Sequence, residues 1–146
     1  MSIEQKIIAE KILTCGVIPV RFAWGEWRLL VLKTKGIWDF PARLITLHED
    51  SLSAAQRHAT ALTGIADWEF VFGEDYKETL ADAAHRISRY YVAETRSEEQ
   101  DFPNEAVVDN VDYEEGRWVS CLEAEDYLPP RLAHILEWVN RVINEK

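Results

Sequence analysis

The sequence predicts a mixed α/β domain in which one β-sheet lies between helices. Segments rich in β-branched and aromatic residues occur before and after an amphipathic helical segment, and a second amphipathic segment closes the chain. The chain has 146 residues, enough for one domain with a normal hydrophobic core. We therefore expect residues 13–146 to form a single domain, preceded by an N-terminal extension over residues 1–12.

The first elements predicted along the chain are strands. Residues 14–22 and 27–32 are rich in β-branched and apolar side chains, and Trp24-Gly25-Glu26 between them predicts a hairpin turn. Lys35-Gly36 predicts another turn, followed by a short extended segment over residues 37–40. The extension has isoleucines at loose helical spacing, which leaves open both a helix and an extended lead into the first strand.

Residues 51–63 have the pattern of a helix. Ser51 is predicted to be its N-cap, and Gly64 follows its last residue as glycine commonly does. The apolar positions that recur at helical spacing predict a buried stripe: Leu52, Ala55, Ala59 and Leu62.

The second half of the chain continues with strands and ends in a helix. Residues 67–77 alternate three aromatic side chains, which predicts a strand with an aromatic face. Residues 87–94 predict another strand, with Tyr90 and Tyr91 on opposite faces, and residues 78–84 predict a hairpin connection or a short helical turn. Residues 97–112 are acidic and lack periodicity, which predicts an exposed loop. Residues 117–122 predict a last strand, and residues 131–144 predict a helix that begins after Pro129-Pro130.

Composition argues against several classes of function. The 26 acidic and 16 basic residues give a formal net charge of −10, which disfavours binding to duplex nucleic acid. Cys15 and Cys121 match neither a zinc-site spacing nor a disulfide framework, and we expect buried thiols in strand-like surroundings. No segment approaches the length of a membrane span and no secretory signal is recognisable, so the expected location is the cytoplasm.

The most informative segment leads into the predicted helix. Trp38, Phe40 and Pro41 form a Trp-x-Phe-Pro pattern, and Glu49, Arg57 and Gly64-Ile65 follow at fixed intervals. This arrangement resembles the Nudix box of the Nudix (MutT-like) hydrolase superfamily. The resemblance implies the Nudix fold, a mixed β-sheet sandwiched between helices, and it covers nearly all of residues 13–143. Residues 90–95 and 114–119 look most like the asymmetric diadenosine tetraphosphatase branch.

The box is degenerate where the family binds metal. The three positions at which the resemblance implies glutamates carry His58, Ala61 and Leu62. Working members need those carboxylates because a diphosphate is highly charged and hard cations such as Mg²⁺ prefer oxygen ligands. One neutral imidazole suits zinc or another transition metal better than Mg²⁺. The pattern therefore favours a weak or inactive catalyst, for which no cofactor is expected.

Candidate site residues follow from the resemblance. The catalytic candidates occupy retained or altered box positions: Glu49, Arg57 and His58. If the protein is active, Mg²⁺ or Mn²⁺ would be held by four donors: Glu49, His58, Glu114 and Glu115. Asp39 or Asp50 would lie beside them as further carboxylates. The candidates for binding a phosphorylated ligand supply cations and aromatic rings: Arg43, Trp38, Arg89 and Tyr91.

Three functions remain open. The first is a Nudix-fold protein without metal-dependent hydrolysis that binds a nucleotide, another phosphorylated small molecule or a protein partner. The second is a divergent Nudix hydrolase that cleaves a nucleoside diphosphate linked to another moiety. The third is a regulatory or structural subunit of a homodimer, which would use the Trp-rich surface.

Overall fold

The described ranges contain nine strands, three α-helices and one 3₁₀ turn. The computed structural model describes residues 12–45, 48–96, 106–108 and 111–145. The strands are β1 (Ile12–Ala23), β2 (Glu26–Thr34), β3 (Ile37–Asp39), β4 (Ala42–Leu44), β5 (Tyr76–Glu78), β6 (Arg86–Glu94), β7 (Ala106–Val108), β8 (Val111–Tyr113) and β9 (Glu115–Val119). The helices are α1 (Ser51–Thr63), α2 (Cys121–Tyr127) and α3 (Ala133–Asn144), and the 3₁₀ turn (Pro130–Leu132) precedes α3.

Strand β1 lies at the centre of a seven-stranded mixed sheet of order β3-β2-β1-β6-β5, in which β4 also pairs with β1 and β9 with β2. β1 runs antiparallel to β2 and β4. Its pairing with β6 is parallel and continuous, from Ile12 beside Arg86 to Val20 beside Glu94. β7 and β8 form a separate two-stranded sheet. Residues 1–11 of the predicted extension lie outside the described residues, and Ile12 already belongs to β1.

The sheet lies between two helical layers, which confirms the predicted fold class. On one side, here called the α1 face, Cys15 and Tyr91 pack against Ala55 and Ala59 of α1. On the other side, the α3 face, a larger apolar cluster joins the sheet to α2 and α3 and includes Ile18, Val20, Leu29, Val31, Tyr90, Val92, Leu132, Ile135, Leu136, Val139 and Ile143. Tyr90 and Tyr91 therefore point to opposite faces, as alternation along a strand requires.

Gly16 allows β1 to approach the segment that leads into α1. A Cβ atom on Gly16 would lie 2.1 Å from the Pro41 carbonyl oxygen and 2.6 Å from the Ala42 Cβ atom. No side chain larger than hydrogen fits there, because these distances are far below van der Waals contact. The Val17 backbone N–H donates to the same carbonyl at 3.1 Å, which fixes Pro41 over the central strand.

The predicted strand over residues 67–77 is wrong for most of its length. Only its end pairs regularly, as β5 with β6, and Glu69 forms an isolated bridge with Glu94. The aromatic alternation has another cause. Trp68 and Phe70 pack on the α1-face clusters, whereas Phe72 contacts Trp27 on the α3 face. The aromatic side chains of this irregular segment pack on both sides of the sheet, and their alternation in the sequence therefore resembles that of a strand.

The predicted strand over residues 117–122 is also too long. β9 ends at Val119 because Ser120 caps α2: its hydroxyl accepts from the Glu123 N–H at 3.1 Å, and the Glu123 carboxylate accepts from the Ser120 N–H at 3.1 Å. This reciprocal capping box starts a helix. Cys121 consequently lies in the first turn of α2, not in a strand, and is only half-buried, whereas Cys15 is buried.

The predicted exposed loop over residues 97–112 is wrong in part. Residues 106–108 and 111–113 pair as the antiparallel strands β7 and β8, while residues 97–105 and 109–110 lie outside the described residues. The remaining predictions for turns and strands near the N-terminus agree with the structure, including the hairpin between β1 and β2. No helix in the described ranges is long and apolar enough to cross a membrane.

Candidate functional site

Helix α1 begins at Ser51 as predicted, but Asp50 caps it. The Asp50 carboxylate accepts a hydrogen bond from the Ser53 backbone N–H at 3.0 Å, which satisfies a donor of the first turn. The predicted N-cap, Ser51, instead uses its hydroxyl to contact the Tyr91 hydroxyl at 2.6 Å. Gly64 ends the helix with a φ of 81°, a conformation that glycine adopts readily.

Two of the predicted box residues pair with each other, and a third belongs to the core. Arg57 forms an ion pair with Glu49, which lies just before the helix. Leu62 is only 5% exposed and packs in an apolar cluster with Leu30, Leu32, Ile65, Tyr113 and Trp118. Ala61 is half-buried. A carboxylate in place of Leu62 would enter an apolar cluster, so this position now contributes to packing.

His58 is buried on the inner side of α1, with 8% of its surface exposed. Among the residues that the structure describes, its Nε2 atom has no hydrogen-bond partner. Burial lowers the pKa of His58, and the Arg57 and Arg43 guanidinium groups lower it further, against the effect of Glu49. The imidazole is therefore neutral at neutral pH and presents a single unpaired ring nitrogen.

Glu114 and Glu115 lie at the junction of β8 and β9, where both have other partners. Glu114 accepts a hydrogen bond from the Gly36 N–H at 2.9 Å and lies 3.8 Å from the Lys33 ammonium group. Glu115 forms an ion pair with Arg117. These carboxylates stabilise the turn between β2 and β3 and the surface of β9.

The residues proposed for a rebuilt metal site do not fit Mg²⁺ or Mn²⁺. Across the described ranges, no three His, Cys, Asp or Glu side chains are grouped so that they could hold a metal ion. Of the two box donors, Glu49 is paired with Arg57, and His58 offers nitrogen rather than oxygen. Hard divalent cations require several oxygen ligands, so this donor set does not supply their coordination.

Three of the four predicted ligand-binding residues lie on the α1 face. Arg43 on β4 and Arg89 on β6 are in register with Cys15 on β1, one on each side of it. Tyr91 lies two residues beyond Arg89 and therefore on the same face. Burial raises the pKa of the Cys15 thiol to about 11, although Arg89 opposes this effect. Cys15 is therefore a protonated core thiol between the two arginine positions.

Arg89 is held in place by three partners. Its guanidinium donates to the Glu78 carboxylate at 2.9 Å and to the Ser51 hydroxyl at 3.1 Å. It also lies 4.2 Å from the centre of the Tyr76 ring, which packs edge-on against Tyr91. Because Glu78 offsets its charge, Arg89 orders the N-terminal end of α1 more than it attracts an anion.

Trp38, the fourth predicted ligand-binding residue, lies on the opposite side of the sheet. Its ring packs edge-on against Tyr127 of α2 with 5.0 Å between the centroids, and it contacts the α3-face cluster. The structure therefore separates Trp38 from Arg43, Arg89 and Tyr91.

A charged network on the α3 face surrounds Asp39 of the Trp-x-Phe-Pro segment. Asp39 accepts hydrogen bonds from the Tyr90 hydroxyl at 2.6 Å, from the Arg131 guanidinium at 2.8 Å and from the Phe40 N–H at 2.6 Å. Burial raises the pKa of Asp39, while Arg131 and the two other donors lower it. Burial and the Asp39 charge both raise the pKa of Tyr90, so the phenol stays protonated and remains a donor.

A cavity of about 420 Å³ opens beside this network, between the β5–β6 connection and the start of α3. Its polar lining combines two guanidinium groups with hydroxyls, an imidazole and a carboxylate: Arg86, Arg131, Thr79, Ser88, His134 and Asp82. The rest is apolar: Ile37, Leu80, Ala81 and Pro130. An apolar surface with a few convergent polar groups is typical of small-molecule sites, and the two guanidinium groups suit an anionic ligand.

Our sequence prediction did not include this cavity. Two signals point to it in retrospect. Ser88 places a hydroxyl at a position of β6 that faces the buried side, where it accepts from the Thr14 hydroxyl at 2.8 Å. Arg131 follows directly after the two prolines that set the start of the last helix, which places a cation at the mouth of the cavity.

Comparison with known proteins identifies the fold. No protein-family model and no curated protein matches the chain. Among solved structures, an Ap4A hydrolase from C. elegans in a binary complex is similar, with a TM-score of 0.74 and 14% identity over 92% of this chain and 99% of that one. The Nudix domain of Shewanella oneidensis NrtR, complexed with ADP ribose, gives a TM-score of 0.69 and 13% identity over 98% and 99%.

A third similar structure is a Nudix hydrolase from M. smegmatis, RenU. Its TM-score is 0.64, with 17% identity over 90% of this chain and 86% of that one. Sequence identities in this range show a shared fold. They do not show a shared activity, which depends on the individual side chains of the site. The seven-stranded mixed sheet between helices, and its match to these structures over nearly the whole chain, show that this protein has the Nudix fold.

Proposed function

We propose that this protein binds a nucleotide or another phosphorylated small molecule and does not hydrolyse it by the family's metal-dependent reaction. The observation that carries the proposal is the replacement of three box glutamates by His58, Ala61 and Leu62. Leu62 in particular is packed in the core, so the α1 surface has lost the oxygen ligands that a metal ion would need.

The α3-face cavity supports binding as the remaining activity. Arg131 is oriented by Asp39, and Arg86 lies at the same cavity. Guanidinium groups held in fixed positions recognise phosphate or carboxylate oxygens through charge-assisted hydrogen bonds. The NrtR Nudix domain is crystallised with ADP ribose. That ligand combines a diphosphate with two sugars and a base, and this composition defines the class that we propose.

A divergent hydrolase is the second candidate, because Glu49 and Arg57 are retained at their box positions and contact each other. The two candidates differ in turnover. Incubation with Ap4A, ADP-ribose and related nucleoside diphosphate derivatives in millimolar Mg²⁺ or Mn²⁺, followed by chromatography, should leave the compounds intact. Calorimetric titration with the same compounds should detect saturable binding.

The variant Glu49→Gln separates the outcomes. Glu74→Gln, an exposed glutamate in the segment before β5, provides the matched control. Turnover that Glu49→Gln abolishes and Glu74→Gln preserves would establish the divergent hydrolase. If no compound shows turnover and none shows saturable binding, both candidates are rejected.

A further inference from the structure

A trough runs along α2 and α3 and shares only Pro130 with the lining of the cavity proposed to hold the small molecule. Its main section, of about 670 Å³, lies between the two helices. A second section of about 370 Å³ continues to the hairpin between β1 and β2. Cys121, Leu122 and Asn140 line both sections, so they form one continuous surface, here called the α2–α3 trough.

The floor of the trough is apolar and partly open to solvent. Leu122 is 75% exposed although it lies in the first turn of α2, and Phe22 is 59% exposed at the other end of the trough. Leu128, Ala133 and Leu136 continue the surface between them. α3 has twelve residues and is therefore about 18 Å long. A groove of this length beside a helix matches three turns of an amphipathic partner helix.

The charged residues that line the trough are all acidic. Its charged lining residues are Glu26, Glu125 and Glu137, and none of the described lining residues is Lys, Arg or His. Burial raises the pKa of the Cys121 thiol to about 11, and Glu125 and Glu26 add to the increase. Glu26 is paired with Arg28 at 2.9 Å, and Glu137 lies 3.9 Å from Arg141. Glu125 therefore contributes most to an uncompensated negative edge.

We propose that the α2–α3 trough binds an amphipathic helix of a partner protein that carries basic residues along one edge. Apolar side chains of the partner at helical spacing contact Leu122 and Leu136. Its Lys or Arg side chains lie beside Glu125 and Glu137, where complementary charge selects the partner and fixes its register. A basic helix is favoured over a second copy of this chain, because the trough is acidic and so is the chain, with a net charge of −10.

Two synthetic peptides of about 15 residues test this proposal. Both have leucine at helical spacing, and the flanking positions carry lysine in one peptide and glutamate in the other. Fluorescence anisotropy with the full chain at about 0.1 M salt, where the Debye length is about 10 Å, should show micromolar binding of the lysine peptide and at least tenfold weaker binding of the glutamate peptide. Amide NMR shifts on addition of the lysine peptide should concentrate in α2 and α3.

Matched variants assign the binding to this surface. Glu125→Lys with Glu137→Lys should weaken lysine-peptide binding at least tenfold, and Leu122→Asp should do the same. Glu74→Lys with Asp75→Lys makes the same change in net charge elsewhere and should change affinity less than about twofold, since exposed charges at a distance are screened. Val71→Asp is the control for Leu122→Asp at another exposed apolar position.

Four results would overturn the proposal. Equal affinity for both peptides, or equal loss with the control variants, would show that charge complementarity at the trough is not the determinant. Contacts in NMR spectra of the free chain between residues 3–8 and α2 would identify the chain's own start as the occupant. A dimer that Leu122→Asp dissociates in sedimentation experiments would identify a second copy.

Discussion

On the α1 face, the residues that resemble a hydrolytic box are joined to one another or to the core, whereas on the α3 face a half-buried charged network borders a cavity. Glu49 pairs with Arg57 and Leu62 packs among apolar side chains. Asp39, by contrast, holds Arg131 at the edge of open space. The box positions of the α1 face are thus occupied by an ion pair and by core packing, whereas the carboxylate–guanidinium pair of the α3 face borders an open cavity.

Under the proposed function, the fold would be kept without metal-dependent chemistry, because the packing of α1 does not depend on metal-binding carboxylates. α1 needs only its apolar stripe and its caps to pack on the sheet, and Asp50, Ala55, Ala59 and Gly64 supply them. Leu62 extends this packing into the apolar cluster with Leu30 and Trp118. We therefore expect changes on the α1 face to affect stability and changes at the α3-face cavity to affect ligand binding.

Leu62→Glu is expected to have the largest effect. It should lower the free energy of unfolding by about 3–5 kcal/mol, because it buries an unpaired charge in an apolar cluster. Urea denaturation measures the change. Leu62→Met is the control and should cost less than about 1.5 kcal/mol, since it nearly conserves volume. A small loss for Leu62→Glu, recovered on addition of Mg²⁺, would show that this position still faces a metal site.

Arg131→Gln should have the next largest effect, about 1–2 kcal/mol, because it removes a charged donor from Asp39 at a partly exposed position. The folded-state pKa of Asp39 is already raised, and Arg131 opposes the increase. Without Arg131, the pKa of Asp39 in the folded state rises further. The folded state then keeps the Asp39 proton to a higher pH than the unfolded state does, by a wider margin than in the wild type. The free energy of unfolding should therefore fall more steeply as pH rises above about 4 than in the wild type.

Denaturation at several pH values checks the prediction for Arg131. Asp39→Asn in the Arg131→Gln background should remove the added pH dependence, because no carboxyl group remains to titrate. Identical pH profiles for wild type and Arg131→Gln would show that the two side chains are not coupled in solution.

His58→Leu should have a smaller, pH-dependent effect. The pKa of His58 is lowered in the folded state, so the unfolded chain binds more protons as pH falls below about 6.5. Wild-type stability should decrease across this range by at most about 1.4 kcal/mol per pH unit from this residue, and His58→Leu should lack that contribution. An NMR titration of the His58 ring in the wild type measures the pKa directly, and an ordinary value would contradict the prediction.

Arg86→Gln should have the smallest effect on stability, below about 0.5 kcal/mol, because the side chain is exposed. Its expected effect is on binding. The affinity for ADP-ribose or a related compound should fall about tenfold, because one charge-assisted contact is lost. Calorimetric titration measures it, and Arg96→Gln, an exposed arginine beyond β6, is the control. Unchanged affinity in Arg86→Gln would place the ligand elsewhere.

Local patterns predicted much of the fold. The span of α1 and its C-terminal glycine depend on neighbouring residues, and the hairpin between β1 and β2 depends on one turn, so both are evident in the sequence. The capping box of α2 was equally local, but the apolar residues before Ser120 favoured a continued strand in our interpretation. Burial of Leu62 also followed from helical spacing, and the structure agrees with it.

The network around Asp39 could not be predicted in this way. Asp39 and Arg131 are 92 residues apart, and no short pattern relates them. Their contact depends on the packing of α3 against the sheet, which brings the residue after two prolines to the end of β3. The rings of residues 68–72 illustrate the same limit, because they pack on both faces of a sheet from an irregular segment.

The parallel pairing of β1 and β6 has a consequence for synthesis of the chain. Residues 12–20 of β1 each meet a β6 partner 74 positions later, as in the Thr14–Ser88 contact. During translation, β2 and β4 can pair with β1 early, but one edge of this apolar strand has no partner until β6 has left the ribosome. Such long-range closure slows folding and leaves a strand edge open to other chains. During this interval of synthesis, the open edge of the central strand β1 is exposed to pairing with other chains.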